Sequence, residues 1–109
     1  MKNTLKYGSV RTIIFRENDT WYAVGLEFNL VTEGDTPEIA SFKLGEAISG
    51  YVESLANSDI GGLRTEGILN QTADSEYEEL WNKLENNEPV PSPYKDKVYF
   101  FGRRMLSVQ

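Results

Sequence analysis

Two short stretches decide the fold: Trp21-Tyr22-Ala23-Val24-Gly25-Leu26-Glu27-Phe28 and Thr36-Pro37-Glu38. The first has the β-branched and aromatic content of a strand, with successive side chains on opposite faces. Trp21, Ala23 and Gly25 share one face, and Tyr22, Val24, Leu26 and Phe28 share the other. The second set is larger and wholly apolar, so it is expected to face the core. The second stretch predicts a helix start: Thr36 caps, Pro37 needs no amide donor at the first helical position, and Glu38 favours the positive end. From there Ala40, Leu44, Ala47, Ile48, Tyr51 and Leu55 recur at helical spacing. The expectation is one long helix, ending near Asn57, packed on the Tyr22/Val24/Leu26/Phe28 face. Gly45 lies beside the stripe and is expected to let the helix approach the sheet.

Working outward, Val10–Arg16 reads as a strand and Glu17-Asn18-Asp19-Thr20 as a hairpin turn. Residues 1–9 read as a ragged lead-in. Leu30-Val31-Thr32 continues as a short third strand after a bend near Asn29, closed by a turn at Gly34-Asp35. Residues 57–93 differ in character, with acids at Asp59, Glu66, Asp74, Glu76, Glu78, Glu79, Glu85 and Glu88 against Arg64 and Lys83. Within them Ser75 and Glu78 fit a capping box, and Tyr77, Leu80, Trp81 and Leu84 form a short amphipathic helix. Pro89-Val90-Pro91-Ser92-Pro93 reads as a rigid spacer before a last strand, Lys97–Leu106. No internal repeat is visible. The expected fold is therefore α+β: an antiparallel sheet of three to four strands packed by one long helix, β-β-β-α-β. It forms a single domain over 1–109 with a short acidic helical insertion at about 57–87.

Composition narrows function. The 109 residues contain no cysteine and no histidine. Thiol nucleophiles, thiolate zinc sites, Ser-His-Asp triads and imidazole bases are excluded. A formal charge of −6 disfavours a general grip on phosphate backbones. The longest apolar run near the start, Ile13-Ile14-Phe15, is too short for a signal or a membrane span, so a cytoplasmic protein is expected. A non-enzymatic binding protein without cofactor is the expectation.

Glu17, Asp19, Glu27, Glu33 and Asp35 cluster in the meander. A two-metal site needs converging acids. Turn aspartates have local hydrogen-bonding work of their own, and the first strand offers no internal acid, so solvated turn and edge charges are the expectation and no metal is assigned. Glu27, Glu33 and Asp35 remain candidates for a partner-binding face, and Trp21, on the opposite side from Tyr22, for an oligomer or partner contact. Self-association is expected through a sheet edge or the Trp21 face. Tyr99-Phe100-Phe101-Gly102-Arg103-Arg104 mixes aromatics and bases as RNA-binding strands do, but lacks the full RNP pattern. Arg103 and Arg104 are carried as candidates, with RNA binding as the alternative function. Gly61-Gly62 has no phosphate-cradling context and receives no ligand role.

Residues 10–56 resemble the HicB-like family, antitoxins of HicA–HicB toxin–antitoxin systems and their relatives. The resemblance rests on Asp19-Thr20-Trp21-Tyr22-Ala23-Val24, Leu26-Glu27, Thr32-Glu33-Gly34-Asp35-Thr36-Pro37-Glu38 and the helix to Leu55. Glu88-Pro89-Val90-Pro91-Ser92-Pro93, before the last strand, is similar to a family Pro-x-Pro-Ser element, extending the likeness over about 88–106. It implies a partial RNase H-like fold that is not a nuclease, and inhibition of a small basic HicA-like toxin that cleaves mRNA. An acidic chain suits such a partner. Many family members carry a C-terminal DNA-binding domain; only three residues follow Leu106 here, so DNA binding is not expected.

Overall fold

The computed structural model describes residues 3–4, 8–57 and 67–106. Four strands, β1 (Ser9–Glu17), β2 (Thr20–Gly25), β3 (Leu30–Gly34) and β4 (Val98–Met105), form one antiparallel sheet in the order β3-β2-β1-β4. Helix α1 (Pro37–Ala56) packs on one face and helix α2 (Ser75–Glu85) on the other. The α+β expectation with one long helix is met, and Gly61-Gly62 lies outside the described residues.

β1 and β2 meet through a hairpin in which Asn18 takes the left-handed conformation, φ 58°. β2 stops at Gly25, three residues short of Phe28, the expected end of the strand. Leu26–Phe28 form a single 3-10 turn, closed by Asn29 at φ 52°. That turn rotates Phe28 relative to Leu26 and separates the four residues expected to share a face. Tyr22, Val24 and Leu26 pack with Ile13, Phe15, Leu80 and Trp81 under α2. Ala23 and Phe28 pack with Val10, Ile14, Leu44 and Ile48 under α1. The long helix therefore covers the smaller face, where Ala23 and Gly25 leave room for Leu44 and Ile48.

Thr36 caps α1 as expected, its hydroxyl accepting from the Ile39 amide at 3.1 Å. The close approach to the sheet occurs at Gly34 rather than Gly45. A β-carbon on Gly34 would lie 2.8 Å from the Ala40 backbone nitrogen. At that contact the Thr32 hydroxyl donates to the Ala40 carbonyl at 2.8 Å.

The described part of the acidic segment, from residue 67 on, is a structural layer. Leu80 and Trp81 are buried against the sheet, and Tyr94, from the proline-containing connection, packs edge-on to Phe15 with ring centroids 5.0 Å apart. The expected capping box does not form: Asp74 occupies the cap position, and Glu78 is engaged elsewhere. Nor is the start of the chain loose at Asn3. Its side chain accepts from the Ser9 amide at 2.7 Å and donates to the Leu69 carbonyl at 3.0 Å. No helix among the described residues is long and apolar enough to cross a membrane.

Candidate interaction surface

Among the described residues no further strand pairs with either edge of the sheet. β3, one edge, has five residues and carries the exposed Glu33. β4, the other, has eight and carries Tyr99, Phe100, Phe101 and Met105, all substantially exposed. A long, apolar, unpaired edge is a template for pairing with another chain.

Antiparallel ladders alternate, so each residue turns its N–H and C=O toward one neighbour or the other. The Leu106 amide donates to the Gly8 carbonyl at 2.9 Å, and the register runs Met105 opposite Ser9, Arg103 opposite Arg11 and Phe101 opposite Ile13. Phe100, Gly102 and Arg104 therefore bond inward to β1. Phe101, Arg103 and Met105 present their backbone groups outward.

α1 lies over β3, β2 and the near side of β1, and among the described residues no helix covers the same face of β4. The result is an open groove of about 1500 Å³ between α1 and β4. One wall is a stripe on α1, Glu38, Phe42, Glu46, Ser49 and Glu53, at helical spacing. Phe42 is 67% exposed. Ile14 lies at the floor, and Tyr99, Phe100, Arg104 and Met105 form the far wall. Arg104 crosses the groove, its guanidinium donating to the Ser41 hydroxyl at 2.8 Å and carbonyl at 3.3 Å. Gly45 makes this possible, since a β-carbon there would lie 2.6 Å from the Arg104 guanidinium nitrogen.

The candidate residues from the sequence separate into different places. Trp21 is half-buried against the α1 core and meets Tyr99 edge-on at 5.7 Å. Glu27 continues the sheet beyond Gly25. Its carboxylate accepts from the Arg11 amide at 2.8 Å, in place of a strand partner, and from the Arg11 side chain at 2.7 Å. Arg11 also makes a two-point pair with Glu78 at 2.8 and 2.9 Å. Donating to Glu78 raises the Arg11 pKa, and accepting from Arg11 lowers that of Glu78. Glu33 and Asp35 are exposed on β3 and just before the α1 cap. Asp19 and Asp35 lie toward the hairpin end of β2 and Glu27 toward its other end, roughly 20 Å away at strand rise. These acids do not converge, and no metal-holding cluster occurs among the described residues.

Arg103 lies over the Trp81 ring at 5.5 Å, on the side of the sheet opposite Arg104, and makes no ion pair among the described residues. Phe42 and Met105 were not singled out by sequence reasoning, whereas Phe100 was named within the aromatic and basic strand Tyr99–Arg104. The signal for Phe42 was its position off the Ala40/Leu44/Ile48 line and in register with Glu38, Glu46 and Glu53. Against family models, curated proteins and solved structures, the chain has no match.

Proposed function

We propose that this chain is a non-enzymatic protein-interaction module of the HicB-like kind, an antitoxin-type inhibitor that holds a small basic RNA-cleaving protein in the α1–β4 groove. The observation that carries the reading is the groove wall, where Phe42 stands exposed between Glu38 and Glu46 with Glu53 beyond. An apolar anchor ringed by carboxylates matches a basic, amphipathic partner segment. The acids steer its approach, and the aromatic contact holds it.

The test is binding of the purified chain to a small basic protein encoded beside its gene. Tight binding is expected, with Phe42→Ala speeding dissociation. Glu46→Lys with Glu53→Lys should slow association by about tenfold at low salt. Absence of a complex with such a neighbour, or binding indifferent to all three changes, contradicts the reading.

RNA binding by β4 is the second reading. It is favoured by Tyr99, Phe100 and Phe101 exposed on one strand beside Arg103, whose charge is not neutralised by an acid among the described residues. It requires single-stranded RNA affinity that falls steeply with salt and is weakened by Arg103→Ala and Arg104→Ala. No binding at low salt excludes it.

A further inference from the structure

We infer that two copies of this chain pair antiparallel through β4, with Gly102 on the two-fold axis, to make one continuous eight-stranded sheet. The inference does not rest on the basic-partner reading: it is argued from the backbone edge of β4, although Phe100 and Arg104 also line the far wall of the groove.

Three observations converge on a second copy as the occupant. The outward backbone groups of Phe101 and Arg103 offer donors and acceptors in the alternation that an antiparallel strand completes. The side-chain order is self-complementary in this register. Phe101 falls opposite Arg103 of the second copy, and Phe100 opposite its Arg104, so aromatic positions face basic ones and no like charges are directly opposed. Centring on Arg103 instead would set that arginine against itself, and like charges directly opposed are destabilising. The third observation is local to the axis. The Phe100 ring folds over Gly102, where a β-carbon would lie 2.8 Å from its tip. Gly102 bonds inward to β1, so across the new interface it belongs to a close, non-hydrogen-bonded pair, with Cα atoms about 4.5 Å apart. Two Phe100 rings, each 47% exposed in the single chain, are then brought together over the paired glycines. The other edge lacks this order: β3 is shorter and alternates exposed Val31 with Glu33.

Sedimentation of the full chain should give a dimer in the micromolar range, in the absence of any partner. Phe100→Lys places two cations at the axis and should weaken association by about tenfold or more, with an unchanged melting temperature measured on the monomer. The register is read separately. Phe100→Cys combined with Arg104→Cys should cross-link two chains reversibly on mild oxidation, since the native chain has no cysteine. Positions 100 and 104 of one strand are roughly 13 Å apart, too far to bridge within a chain. A monomeric wild type overturns the proposal. So does a dimer that ignores Phe100→Lys, or one whose cysteine variant folds yet fails to cross-link. Failure of the basic-partner experiment alone leaves all three results as stated here.

Discussion

Arg11 and Glu78 join β1 to α2 through two hydrogen bonds of 2.8 and 2.9 Å, a two-point polar link between the sheet and its acidic layer. Arg11 also lies 5.8 Å from the Trp81 ring centroid, and Glu78 accepts from the Ala73 amide at 3.2 Å. One guanidinium thus gathers the end of β2, the start of α2 and its buried tryptophan. Planar, two-point geometry is what distinguishes such a pair from a solvated surface contact.

Glu78→Gln keeps the shape of the side chain but removes the charge that Arg11 faces. Stability to urea should fall by roughly 1–3 kcal/mol. An unchanged unfolding midpoint would show that α2 is held by packing alone.

Acid should act through the same carboxylate. Hydrogen bonding from Arg11 holds the Glu78 pKa below its ordinary value of 4.5. Its stabilising contribution is therefore complete above that value and is lost as pH falls through the lower folded-state pKa. Unfolding measured from pH 6 down to pH 2 should lose stability most steeply below about 4.5, and Glu78→Gln should flatten that slope. Parallel wild-type and variant curves would contradict the assignment.

Two glycines should respond oppositely to alanine. At Gly34 the added carbon meets Ile39 at 2.7 Å and the Ala40 nitrogen at 2.8 Å, backbone that cannot swing aside. Gly34→Ala should cost about 1–3 kcal/mol. Gly50 lies within α1 with nothing inside 4 Å, so Gly50→Ala should stabilise by about 1 kcal/mol. Thermal melts of the two variants decide the matter, and shifts of the same sign would contradict it.

Leu44 and Leu80 are both fully buried, one beneath each helix. Truncation of either to alanine should cost about 2–5 kcal/mol. A Leu80→Ala chain as stable as wild type would return the acidic segment to the status of an appendage.

Much of this architecture was legible, and the misreadings have physical causes. The start of α1 was readable because Thr36, Pro37 and Glu38 act locally. The third strand was readable for a similar reason, since Asn29 and Gly34 punctuate it. The face of β2 was misassigned because both sides of the sheet are buried, which removes the polar contrast that alternation normally supplies. The 3-10 turn at Leu26–Phe28 left no compositional mark and moved Phe28 to the other face. Ser75 and Glu78 have capping-box spacing, but Arg11, 67 residues from Glu78 in the chain, claims the carboxylate, and local pattern carries no trace of so distant a partner. The groove was the least visible feature. Phe42 signals exposure only once the line of buried α1 residues is known, and Gly45 serves Arg104 from another strand.

The central claim is that β4 is an interaction edge with a defined inward and outward set of backbone groups. Amide hydrogen exchange across β4, at high and low protein concentration, tests it most directly. The amides of Phe100, Gly102 and Arg104, bonded to β1, should be protected at both concentrations. Those of Phe101 and Arg103 should gain protection only as copies associate. Fast exchange of this second pair at every concentration, or protection of both sets in the dilute monomer, would contradict the account.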